Sequence, residues 1–406
     1  MKKPFLFFFI LIALQIFQTV TACTTAILSG KCTTDGRPLM WKLRDADDLE
    51  NAVKFFNDGK FTYIGLINAK DLQGENVWGG ANSQGFSIMN NASFNVNLED
   101  TTATKKDQEG RFMKLALQTC ATLQDFEKLL ETYPKPRGLA ANFGVIDAHG
   151  GAAYYEVNNH TYTKYDANDV NTAPNGYLVR TNFSFNGKKD VGYGFIRYQT
   201  AEEIFGKAYR AHKLNYQAII QEFTRCFYHP VLNVNYREKY KNVPYGKNFI
   251  TSDDLITRHG SVSSIVVQGV KAGEPADLST IWMQVGFPET SVAVPLWVRG
   301  GENLPWTLSY NAGMKNSPLN KAALEWKNKC YPIGRSDGYH YLNISELINK
   351  EGAGFVQRIE TLEKEIFAQT DKRMAGWRKF PPSVKEIQDY YSVLDQKTID
   401  FYFIKK

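Results

Sequence analysis

Cys23 stands where a mature chain would begin. It follows Val20-Thr-Ala22, with small side chains of the kind a signal peptidase accepts, and it precedes Thr24 and Thr25. An N-terminal cysteine carries two reactive groups on one residue. The thiolate is a nucleophile, and the α-amine, ordinarily titrating at about 7.7–8.0, is a base poised near neutral pH. The amine can take the thiol proton, directly or through a water, so the pair attacks a carbonyl without help from a histidine. Val20-Thr-Ala-Cys23 also fits the pattern of a lipoprotein-processing site, and lipidation would alkylate the sulfur and end that chemistry.

The segments around Cys23 must then bring charge to it. Cys23–Gly30 reads as a strand, Asp35-Gly36 as a hairpin turn, and Leu39-Met-Trp-Lys-Leu-Arg-Asp45 as the return strand. That hairpin returns Lys42, Arg44 and Asp45 alongside Cys23. A cation beside a thiol favours the thiolate, and a carboxylate beside an α-amine holds it in place. Here the sequence resembles the cysteine N-terminal nucleophile (Ntn) hydrolases. It looks most like the choloylglycine hydrolase and penicillin V acylase family and the related penicillin-nucleus acyltransferases. In that family the mature chain starts with Cys and an Asp at the end of the second strand binds the amine, a place matched by Asp45. The family's Arg three residues earlier is replaced by Lys42, with Arg44 next to the Asp.

Three later segments continue the resemblance in the family's order. Gly79-Gly-Ala-Asn-Ser-Gln-Gly-Phe-Ser-Ile-Met-Asn-Asn91 is similar to the turn and strand that end on an oxyanion-binding Asn, which implies Asn91 or its neighbour Asn90. Tyr177-Leu-Val-Arg-Thr-Asn182 is similar to the strand that supplies the second oxyanion donor, so Asn182 takes that role. Gly194-Phe-Ile-Arg197-Tyr looks like the helix start whose Arg sits by the nucleophile. The implied catalytic set is Cys23, Asp45, Asn91, Asn182 and Arg197, with Lys42 and Arg44 tuning the thiolate or the substrate. Neutral Asn donors suit such a site, because they stabilise an oxyanion without quenching a thiolate.

Other chemistries fit poorly. Gly334-Arg-Ser-Asp-Gly338 matches a nucleophile elbow literally, but Pro332 lies just before it and the only later histidine is His340, so it reads as a turn. There is no His-x-x-x-His, no Cys-x-x-Cys and no Walker-type loop, so neither a metal nor a cofactor is expected. Cys32, Cys120, Cys226 and Cys330 could pair in any of three ways or remain buried thiols.

The framework reads as globular. The 406 residues are 43% hydrophobic, 14% aromatic and 22% charged, with a net charge of +6 and no basic stripe to suggest nucleic acid. Lys2 and Lys3 followed by an apolar run from Phe5 to Phe17 give residues 1–22 the layout of a signal peptide, too short for a stable span. Export to the periplasm or the extracellular space is expected, with lipid anchoring if Cys23 is modified. Strand-like runs at 61–68, 86–91, 143–147, 152–157, 177–181, 263–268, 280–285 and 291–298 outnumber two helical regions, 112–133 and 197–227. Antiparallel sheets between helical layers are therefore favoured over a doubly wound parallel sheet. The resemblance implies an α+β fold, the αββα Ntn sandwich. Residues 23–406 read as one domain, with a core to about 300 and a helical C-terminal extension over 301–406. The expected activity is cleavage of a linear, non-peptide C–N amide in a small molecule, through a Cys23 thioester. An amine acceptor in place of water would make the protein an acyltransferase. The alternative is a lipid-anchored, non-catalytic binding protein of the same fold, and a homo-oligomer is compatible with either.

Overall fold

A computed structural model describes residues 22–404. The signal-peptide reading falls on residues 1–22, and all of these but Ala22 lie outside the described residues. The hairpin forms where the sequence places it. β1 (Thr24–Leu28) and β2 (Leu39–Asp45) pair antiparallel, with Thr24 opposite Leu43 and Thr25 opposite Lys42. Gly36 carries φ +73° between them, a left-handed backbone that glycine adopts without strain.

Two antiparallel sheets grow from this hairpin. One is a seven-stranded meander in chain order: β3 (Asn51–Phe56), β4 (Tyr63–Asn68), β5 (Gly79–Asn82), β6 (Ser87–Ala92), β7 (Ala141–Ile146), β8 (Ala152–Val157) and β9 (Tyr162–Asp166). The other has six strands. It adds β10 (Tyr177–Arg180), β11 (Ser261–Gln268), β12 (Thr280–Val285) and β13 (Val294–Leu296) in the order β10-β1-β2-β11-β12-β13. The sheets meet face to face, and Gly144 leaves room for them to pack. A Cβ there would fall 2.3 Å from Met89 Cε and 3.0 Å from Ile27 of the facing sheet. β1 and β2 are thus covered on both faces, which explains why all seven β2 residues, charged ones included, are buried.

Helices cover the outer faces. α1 (Glu109–Thr119) and α2 (Leu123–Thr132) lay Phe112 and Phe126 against Phe143 of the seven-stranded sheet, and Phe126 also meets Tyr155. The sequence reads 112–133 as a helical region without placing a break in it. Thr122 instead starts a second helix, accepting from Asp125 N while the Asp125 carboxylate accepts from Thr122 N, a capping box that outweighs continuity. α3 (Phe195–Arg210) and a short helical stretch at 216–223 cover the six-stranded sheet, in place of the single region 197–227. His212, at φ +52°, lies in the break. α4 (Pro318–Cys330), α5 (Phe355–Trp377) and α6 (Val384–Tyr402) form the C-terminal extension. Phe367 of α5 packs edge-on against Trp282, and Trp377 edge-on against Trp297, so the extension shares the main core. Buried aromatic side chains contribute roughly 1.5–3 kcal/mol each. The order is helix, sheet, sheet, helix, an αββα sandwich. All five cysteines are free thiols, and burial pushes Cys32 and Cys120 up to about 12 and Cys226 to about 11. Among the described residues no helix is long and apolar enough to cross a membrane, and no group of His, Cys, Asp or Glu could hold a metal ion.

Candidate active site

Cys23 sits just before β1, and the register continues so that Asp45 at the end of β2 lies beside it. The Cys23 thiol is 4.0 Å from the Asp45 carbonyl oxygen. The Asp45 carboxylate accepts from Ser261 Oγ at 2.6 Å on one oxygen and from Arg258 on the other, with Nε at 3.0 Å and Nη2 at 2.8 Å. Arg258 also donates to the carbonyl of Ala22 at 3.1 Å.

The expected cations, two from β2 and one from α3, are buried. Lys42 Nζ donates to Asn90 Oδ1 at 2.7 Å and to the Trp78 carbonyl at 2.8 Å. Arg44 donates to Asn51 Oδ1 at 2.7 Å and Asn68 Oδ1 at 2.8 Å, with its guanidinium 4.7 Å over the Trp78 ring. Arg197, in the first turn of α3, donates to the Cys23 carbonyl and Thr24 Oγ1, both at 2.7 Å, and to Asn182 Oδ1 at 3.0 Å. Gly194 makes room for that arginine, since a Cβ there would lie 2.3 Å from Arg197 Nη2. Burial pushes Lys42 down to about 7, although attraction to Cys23 opposes the fall. Burial likewise lowers Arg44 to about 10 and Arg197 to about 9, which leaves both cationic at neutral pH. All three cations bond to neutral acceptors. Such a cluster can stabilise negative charge that arises only during a reaction.

The two neighbouring asparagines part company. Asn91 is bonded at both ends of its amide: its oxygen accepts from Thr25 Oγ1 at 3.0 Å and its nitrogen donates to the Thr181 carbonyl. It ties β6 to β1 and to the end of β10. Asn90 is the one whose side chain reaches Lys42. Asn182 donates to the Ala92 carbonyl at 2.9 Å while its oxygen orients Arg197. Cys23, Lys42, Asp45, Asn182 and Arg197 thus gather at one end of the layer between the sheets. Arg44 joins them from the neighbouring position of β2, and Asn91 stands behind as a brace.

Sequence reasoning missed Arg258 and Ser261, which hold Asp45 from more than 200 residues away. It also missed Asn51 and Asn68, the partners of Arg44. The only signal was the strand assigned to 263–268, whose start lay two residues too late to include Ser261.

Known proteins offer matches of two kinds. Residues 47–215 match the family model described as acyl-coenzyme A:6-aminopenicillanic acid acyl-transferase. The match bears out the resemblance read from the motif order, and it covers Asn90, Asn91, Asn182 and Arg197 but not Cys23, Lys42, Arg44 or Asp45. None of the curated proteins matches the chain. Solved structures similar to it include a Caenorhabditis elegans ortholog of N-acylethanolamine-hydrolyzing acid amidase, at 16% identity and TM-score 0.40, covering 61% of this chain and 92% of that one. A mutant of conjugated bile acid hydrolase from Clostridium perfringens gives 12% identity and TM-score 0.39 over 68% and 92% of the two chains. Penicillin V acylase from Agrobacterium tumefaciens gives 13% and 0.39 over 68% and 86%.

Proposed function

We propose that this protein is an exported amidase with an N-terminal cysteine nucleophile, acting on a linear, non-peptide C–N amide. The observation that carries the reading is the company of Cys23: a held carboxylate at Asp45 and three buried cations with neutral partners. Residues 1–22 are read as the leader whose removal after Ala22 exposes the Cys23 amine.

The steps follow from these groups. The α-amine takes the Cys23 thiol proton, and the sulfur bonds to the amide carbon. The carbonyl oxygen becomes an oxyanion facing the Asn90 amide and the Asn182 N–H that is not given to Ala92, with Lys42 nearby. The C–N bond breaks as the α-ammonium returns the proton to the leaving nitrogen, leaving a Cys23 thioester. Water then gives a proton to the α-amine as its oxygen bonds to the thioester carbon, the C–S bond breaks to release the acid, and the α-ammonium returns the proton to the Cys23 sulfur. An amine acceptor would resolve the same thioester by acyl transfer, a variant favoured by the acyltransferase named in the family match.

Intact mass of the exported protein, combined with turnover of a panel of N-acyl amides, tests the reading. A first residue of free Cys23 and a mass increase of one acyl group on quenching mid-reaction are expected. A diacylglyceryl adduct on Cys23 would overturn the enzyme in favour of an anchor. Adding hydroxylamine or an amine during turnover separates hydrolase from transferase by product ratio.

A further inference from the structure

Asp45 is held more firmly than amine binding alone requires. Both carboxylate oxygens are engaged, one by the Ser261 hydroxyl at 2.6 Å and one by two nitrogens of Arg258. The same guanidinium bonds the Ala22 carbonyl oxygen, which is two bonds from the Cys23 nitrogen. Arg258 is therefore next to the nitrogen that would become the base.

We infer that Arg258 is a positioning residue for the reaction proposed above: it fixes the Asp45 carboxylate and offsets its charge, so that the exposed Cys23 α-amine is a free base at neutral pH. A lone carboxylate against an α-ammonium would favour the protonated form and weaken the base. A cation bonded to the same carboxylate opposes that bias without releasing it. The neighbouring elements reinforce the field. Arg197 approaches from α3, Lys42 and Arg44 from β2, and Lys327 from α4, where Asp45 is among the groups that attract it. Asp253 and Asp254 lie in the Arg258 loop, and the Asp253 carbonyl accepts from Arg258 at 3.3 Å. Asp253 itself pairs with His340 at 2.6 Å. Removal of Ala22 would also free the Arg258 N–H now given to its carbonyl, leaving a donor beside the amine.

The inference rests on the proposed function, so its test reads the amine directly. Protein carrying Cys23→Ser, produced with residue 23 first, is treated with acetic anhydride across pH. N-terminal acetylation read by peptide mass gives the amine midpoint without turnover. Arg258→Gln is expected to raise that midpoint by about one to two units, and Asp45→Asn to lower it by a similar amount. Ser261→Ala, which removes a neutral bond only, should move it by less than about half a unit. In the Cys23 enzyme the free amine is the active form. The acid limb of kcat/KM should therefore shift to higher pH in Arg258→Gln and stay in place in Arg258→Lys. Coincident amine midpoints for the parent and Arg258→Gln would overturn the inference, as would a Ser261→Ala shift equal to that of Arg258→Gln. Asp45→Asn provides the second arm should Arg258→Gln fail to fold, and an unlowered midpoint there would also overturn it. Turnover by Cys23→Ala would instead break the proposed function and leave the titration standing.

Discussion

Two clusters of buried charge sit on the six-stranded sheet and are built on opposite rules. Near the C-terminal extension, Arg225 and Glu363 form a closed pair. Arg225 Nη1 and Nη2 lie 2.7 and 2.8 Å from the two Glu363 oxygens, and Nε and Nη2 also donate to the carbonyls of Pro288 and Ser291. Glu363 also accepts from Ala293 N and Gln221. Burial would lower Arg225, but Glu363 outweighs it and raises the guanidinium. At the Cys23 end, Lys42, Arg44 and Arg197 are buried as deeply, yet they bond to amides, carbonyls and a hydroxyl. A closed pair joins α5 to the turn after residues 216–223 and has no charge to spare. The open cluster keeps its charge available, at the cost of desolvation that neutral partners only partly offset. The charge that Lys42, Arg44 and Arg197 keep uncompensated beside Cys23 is what the proposed reaction would draw on.

The sharpest way to break this comparison is at the nucleophile. Cys23→Ala should abolish turnover, a loss of at least about 10⁴-fold, while the melting temperature stays near that of the parent. Full-rate turnover by the alanine variant would make the open cluster a structural oddity. Extension of the mature chain by one residue should be as damaging, because it turns the amine into an amide.

Next in size is the closed pair. Removing one partner leaves the other buried and uncompensated, so Glu363→Gln should cost about 3–5 kcal/mol in chemical denaturation. Its kcat per folded molecule should not change. A kcat loss with parental stability would mean that this pair belongs to the site as well.

How far the sequence foretold the two clusters depends on separation along the chain. The Cys23 hairpin was legible because Asp35-Gly36 fixes its turn and seven residues return Lys42 and Asp45 to the start. Antiparallel sheets between helices followed from strands outnumbering crossovers, the αββα order from the family resemblance, and the order of the later motifs pointed to Asn182 and Arg197. Glu363 was not legible: within Phe355–Trp377 it looks like one more charge on a solvated helix, and only tertiary packing pairs it with Arg225. Arg258 and Ser261 were hidden for the same reason. Asn90 and Asn91 could not be separated, since spacing places both on β6 and only their partners tell them apart.

Those partners give the third prediction. Asn91→Ala breaks bonds that join the sheets, so it should cost about 1–3 kcal/mol of stability and little kcat per folded molecule. Asn90→Ala and Asn182→Ala should lower kcat by about 10²–10³-fold with KM nearly unchanged, the loss typical of an oxyanion donor. The reverse pattern, a kcat loss confined to Asn91→Ala, would return the oxyanion role to Asn91.

The last effect is a dependence on pH, and it comes from Lys42. Unfolded, this lysine holds its proton to about 10.4, whereas in the folded chain burial brings its midpoint down to about 7. Between those values the unfolded chain binds the extra proton, so stability rises with pH across that window. Below about 7 both states are charged and the folded protein bears the full penalty of a buried ammonium. The slope should not exceed about 1.4 kcal/mol per pH unit, and Lys42→Met should flatten it. Activity should run the other way. If the ammonium beside Asn90 steadies the oxyanion, kcat falls as pH rises through about 7, because the cation is lost just where the fold gains. Lys42→Arg, which keeps its charge to far higher pH, should carry that alkaline limb upward. A limb unmoved by the arginine would place the titration elsewhere, and Lys42 would then only hold Asn90 in position.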